Sequence, residues 1–192
     1  MSGDGRTVVV IDTETTGLDA SIDRPWEVAW QVLRLTHGAV TRLGDIETVT
    51  LPLSMEAVLS LYSSASELPE LFARAMQHVR DTSTKRRAIV EAASVDALAR
   101  IVSQCPDGPP PIWAGINPTF DIAMLRAGTL NGTGFHYTPW DVATSVRAKL
   151  GYLPWETKTD ALFTECGVTV EDRHTAAGDV AATVALIEWL VT

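Results

Sequence analysis

Lysine and cysteine are both scarce in this chain. Only three of its 15 basic residues are lysine, and 24 acidic residues outweigh them, leaving a formal charge of −9. A protein that tracks a nucleic-acid backbone along a groove normally carries the opposite sign, because its affinity comes from neutralising phosphates. The balance speaks against extensive backbone contact. It does not speak against a cluster of carboxylates that holds divalent cations. The two cysteines, Cys105 and Cys166, lie on unrelated segments. That suits a reduced, cytoplasmic chain better than a disulfide scaffold or a zinc site. No apolar run approaches the roughly 20 residues of a membrane-spanning helix. The start, MSGDGRTVVV, has a short apolar run without a basic start or a small-residue cleavage site, so a signal peptide is not expected. What is present is 46% hydrophobic residues over 192 positions, enough for one domain with a real core.

The pattern along the chain predicts an α/β fold. Thr7 to Thr13 (TVVVIDT) is a β-branched run, as expected of a strand buried on both faces. Trp26 to Leu35 and Ala39 to Leu51 read as two further strands joined at His37-Gly38. These three would pair antiparallel. From Ser54 to Cys105 the pattern is helical, with Ser94 as N-cap of a helix whose Val95, Leu98, Ile101 and Val102 share a face. The prolines of CPDGPPP end it. Ile112 to Gly115 is a short strand, and Asn117-Pro118 opens a helix that should stop near Asn131-Gly132. Tyr137 to Val142 is a fifth strand candidate. A last helix carries Val180, Val184, Ile187 and Val191 on one stripe. No boundary divides the chain.

Three signals carry chemistry. Asp12 and Glu14 sit at i and i+2 on a strand, so both carboxylates leave its end on the same face. Two such charges repel unless a proton or a cation sits between them. A D-x-E pair alone is equally an acidic strand end beside a turn. Asp121 falls about one turn inside the helix opened by Asn117-Pro118; alone, it would simply complement the helix dipole. His174 and Asp179 would stand about 140° apart on one helix, so they meet only if His174 precedes it. Ala176-Ala177-Gly178 between them is small enough for close approach.

Taken in order, IDTETTGLD, NPTFDIAML and HTAAGDVAAT resemble the DEDDh 3′→5′ exonuclease superfamily, which includes DnaQ-like proofreading subunits, oligoribonucleases and RNase T. The resemblance runs from about Val8 to Leu190 and is thin from Ser54 to Pro110. Ile116 stands where family members often carry histidine, and Pro118 where they carry a small residue. The resemblance implies an RNase H-like fold with a five-stranded mixed sheet flanked by helices. It implies a single exonuclease domain over residues 1–192 with a helical insert at about 54–110. It implies that Asp12, Glu14, Asp121 and Asp179 hold two divalent ions, Mg²⁺ or Mn²⁺, Asp12 bridging both, and that His174 is the general base. Thr15, Thr16, Leu18 and Asn117 would contact the substrate.

The implied reaction is hydrolysis at the 3′ end of single-stranded or frayed DNA to release 5′-mononucleotides. The alternatives are an exoribonuclease acting on short RNA and a binding module that keeps the fold without catalysis. A DNA polymerase is an implied partner; a membrane is not. Other residues read as structural. Phe120 belongs to the core, and Lys85-Arg86-Arg87 to a solvated loop. His37, His78 and His136 have no partner pattern. Glu27 either approaches the site or serves the fold.

Overall fold

The computed structural model describes residues 5–20, 23, 25–51, 97–128 and 134–192. Strand β1 (Arg6–Thr15) lies inside the sheet and the fold is built on it. It pairs antiparallel with β2 (Pro25–Thr36), from Arg6 opposite Leu35 to Glu14 opposite Glu27. On its other edge it pairs parallel with β5 (Ile112–Gly115). β2 also pairs antiparallel with β3 (Ala39–Arg42) and with β4 (Glu47–Thr50). β6 (Trp140–Asp141) lies parallel to β5 at the far edge. The sheet is therefore mixed, as expected, with six strands among the described residues where five were expected.

The expected third strand, 39–51, is split in two. Its first part pairs with Leu33–Thr36 and its second with Glu27–Trp30. Between them Gly44 bends the chain, and the Gln31 amide nitrogen donates to its carbonyl at 2.7 Å. The expected fifth strand shrinks to two residues: ahead of it Thr138 N donates to the His136 ring and His136 N to the Pro111 carbonyl, outside any ladder.

Two helical layers cover the sheet. Val8, Val10, Ala29 and Leu33 face α3 (Val142–Leu150), α4 (Thr159–Glu165) and α5 (Ala176–Val191). Val9, Ile11, Val28, Trp30 and Trp113 face helical residues 97–104 (α1) and α2 (Pro118–Gly128). Period-two alternation explains the division, since successive strand residues point to opposite faces. In α1, Ile101 is buried as expected and Leu98 partly so, Ala97 is buried beside them, but Val102 is 54% exposed. A step of one residue from Ile101 turns it about 100° away from the sheet. The helix ahead of it, its Ser94 cap, the basic run and the Asn131-Gly132 stop fall outside the described residues, as does most of the expected insert. Among the described residues no helix is long and apolar enough to cross a membrane.

Helix α5 is set against the sheet by its first turn. Thr175 is the N-cap: its hydroxyl accepts from Gly178 N at 3.0 Å and donates to the Asp172 carbonyl at 2.7 Å. The loop before the helix folds back so tightly that a Cβ at Gly178 would stand 2.3 Å from the Asp172 carbonyl oxygen. Gly178→Ala should therefore destabilise the protein by about 1–3 kcal/mol, the cost of forcing backbone apart in a packed site. Gly44→Ala, where a Cβ meets nothing within 4 Å, should stay within about 0.5 kcal/mol of wild type. Urea unfolding of the two variants checks the contrast.

Candidate metal centre and active site

Asp12 and Glu14 continue the Val8 and Val10 face of β1, the face that α5 covers. Asp179, in the first turn of α5, is brought to the same place. One carboxylate oxygen from each of Asp12, Glu14 and Asp179 lies within 4.8 Å of the other two. Between Glu14 and Thr15 the pairing with β2 slips, so the strand turns away just past the carboxylates.

Asp121 comes from the opposite layer, α2. It is 3% exposed. Thr13, which points to that face, donates its hydroxyl to Asp121 Oδ1 at 2.7 Å. Asp121 thus reaches the strand end from behind, close enough to act electrostatically on Asp12. It is not one of the three oxygens that converge.

His174 sits in the loop one residue before the Thr175 cap, as the spacing to Asp179 requires, with φ of 62°. It is exposed, and its charge acts on Asp179. It also lines a cavity of about 420 Å³ with Asp160, Phe163, Thr164, Val168, Val170 and Arg173.

The electrostatics follow from crowding. Burial, then the charges of Asp121, Asp179 and Glu14, push Asp12 well above the usual carboxylate range, with Arg173 pulling it back. Burial pushes Asp121 up to about 7, although the Thr13 hydroxyl works against the rise. Burial raises Asp179 too, opposed by Arg173 and His174. Three hard oxygen donors in this arrangement fit a cation such as Mg²⁺ or Mn²⁺, whose charge would hold all of them ionised.

The expected substrate contacts are placed differently from one another. Leu18 is 87% exposed, on the bend after β1. The Thr15 hydroxyl donates to the Gly17 carbonyl and that of Thr16 to Asp23, which also accepts from Asp19 N. Both hydroxyls are occupied within the loop. Asn117 adopts a left-handed φ of 56°, its side chain accepting from the Thr119 hydroxyl at 2.9 Å, so it precedes α2 without the extended backbone of an ordinary N-cap. Glu27 serves the fold: its Oε2 accepts from Ala176 N, at the start of α5, at 3.2 Å.

Two residues that the sequence reading passed over matter here. Thr13 holds Asp121, and its signal was available as the odd position inside D-T-E, facing the other layer. Arg173 donates to Asp179 Oδ1 at 2.8 Å and to Asp160 Oδ1 at 2.9 Å. Nothing in its local spacing announces the pairing with Asp160, which lies on α4.

No protein-family model and no curated protein sequence matches the chain. Solved structures do. Exonuclease I from E. coli in complex with a dT13 oligonucleotide superposes with a TM-score of 0.56 at 18% identity, over 95% of this chain and 40% of that one. The zinc-bound form of the E. coli exonuclease I–ssDNA complex gives 0.58 at 19% identity, again over 95% and 40%. Exonuclease I from the moderately thermophilic Methylocaldum szegediense gives 0.55 at 19%, over 96% and 40%. The chain thus has the fold of exonuclease I over nearly its whole length, in agreement with the exonuclease resemblance and the RNase H-like fold expected from its three motifs. It spans about two fifths of the length of those proteins.

The raised carboxyls set a pH dependence of stability in chelator. With Asp121 near 7 in the folded chain and about 3.9 unfolded, the folded state holds a proton that the unfolded state has lost between those values. Stability therefore falls as pH rises from about 4 to 7, by up to about 1.4 kcal/mol per unit for this one proton. Urea midpoints across that range should show the decline, and Asp121→Asn should make it shallower, leaving the part that Asp12 and Asp179 contribute.

Proposed function

We propose that the chain is a metal-dependent 3′→5′ exonuclease that hydrolyses terminal phosphodiesters of single-stranded or frayed DNA. The observation that carries the reading is the convergence of Asp12, Glu14 and Asp179 within 4.8 Å, with His174 one residue ahead of the cap of the helix that brings Asp179. The fold shared with exonuclease I, and the oligonucleotides in those structures, support single-stranded DNA as the substrate.

In this reading Asp12, Glu14 and Asp179 hold divalent cations, with Asp121 behind them, and the expectation is two ions, Mg²⁺ or Mn²⁺. When bound, such ions stabilise the charge that develops on the phosphoryl and leaving oxygens. His174 accepts the proton of the attacking water as its oxygen bonds to phosphorus. The phosphorus–O3′ bond then breaks, freeing a 5′-mononucleotide and leaving a new 3′-hydroxyl on the shortened strand. Leu18, exposed beside the carboxylates, offers an apolar contact for the terminal nucleotide. Thr15 and Thr16, their hydroxyls engaged, would contribute through the shape and backbone of their loop, and Asn117 stands at the start of α2.

A single domain over residues 1–192 and a cytoplasmic setting belong to the same reading, the latter in keeping with the two free thiols. The oligonucleotides in the neighbouring structures support a nucleic-acid partner; a DNA polymerase as a further partner rests on the motif resemblance alone.

End-labelled single-stranded DNA and RNA should settle the reading with Mg²⁺ or Mn²⁺ present. DNA should shorten one nucleotide at a time from an open 3′ end, and a circular strand should survive; cleavage of the circle would mean an endonuclease. Degradation in chelator would defeat the metal role, and preference for RNA would favour the exoribonuclease. His174→Ala should lose roughly 10²- to 10⁴-fold in rate while keeping the rise in melting temperature that Mg²⁺ produces. Asp12→Ala should lose most of that rise.

A further inference from the structure

The guanidinium of Arg173 is shared between two carboxylates of unlike surroundings. One terminal nitrogen donates to Asp179 Oδ1 at 2.8 Å and the other to Asp160 Oδ1 at 2.9 Å. The Asp179 side chain is 19% exposed and belongs to the converging cluster, whereas that of Asp160 is 77% exposed on α4. The guanidinium also lies 5.4 Å from the centre of the Phe163 ring, an arrangement that favours a cation over an aromatic face. A divalent ion on Asp179 would meet a fixed positive charge hydrogen-bonded to the same carboxylate. Two cations at that separation repel.

We infer that Arg173 is the resident counter-cation of the metal-free site: it competes with a divalent ion for Asp179, and Asp160 with Phe163 retains the guanidinium once an ion takes its place. This rests on the metal-centre reading above. Arg173 here sets metal affinity and has no step in hydrolysis. The turn that carries His174, its neighbour, is closed by the Thr175 hydroxyl donating to the Asp172 carbonyl and accepting from Gly178 N, contacts that do not involve the guanidinium.

Calorimetric titration of the full chain with Mn²⁺ tests the inference. Arg173→Gln should tighten binding, by about fivefold to tenfold for a partly exposed charge. Asp160→Asn should weaken it, because the guanidinium then settles on Asp179 alone. In the double variant the effect of Asp160→Asn should fall below about twofold, since the cation it governs is gone. Binding within twofold of wild type in Arg173→Gln overturns the inference, as does an Asp160→Asn effect of equal size with and without Arg173. If Arg173→Gln does not fold, Asp160→Asn alone decides, and unchanged or tighter binding overturns it. Wild type without Mn²⁺ binding, or binding that survives Asp12→Ala, would overturn the metal centre as well.

Discussion

Carboxylates gathered at one end of a buried strand repel each other, and the surrounding structure is arranged around that repulsion. Folded proteins are stable by only about 5–15 kcal/mol, so such a cluster has to be offset locally. The offsets are visible one by one. Thr13 donates to Asp121, and Arg173 to Asp179. Glu27, directly across the ladder from Glu14, accepts from the N-terminal amide of α5. That helix end is itself electropositive and favours the Asp179 it carries.

The central position of β1 makes the convergence possible. A strand with helices on both faces ends where two layers meet. Asp12 and Glu14 meet Asp179 on one side, while Thr13 meets Asp121 on the other. The odd and even residues of a single D-T-E step therefore recruit two helices from opposite layers. The parallel partner β5 feeds α2 directly, through Ile116 and Asn117, at the same end of the sheet.

What could be read in advance was whatever depends on short spacing. The i, i+2 relation of Asp12 and Glu14, the need for His174 to precede its helix, and the apolar stripe of α5 are local and period-driven. Most of the mixed sheet was legible for the same reason. The break between β3 and β4 was not, because it depends on Gln31 of a neighbouring strand. Val102 was misplaced by assuming a wider apolar face than α1 presents. Thr13 and Asp121 lie 108 residues apart, and Arg173 meets Asp160 across a helix boundary. Tertiary partners of that kind leave no periodic trace.

The left-handed backbone at His174 sets stability against chemistry. A φ of 62° is tolerated by histidine but suits glycine or asparagine better. The strain at this position is of order 1 kcal/mol or more, held in place by the surrounding loop. Selection for thermal robustness alone would favour replacing the residue to which the proposed reaction assigns the proton. A laboratory search for hardier variants of this fold would thus drift toward ones that lack this histidine.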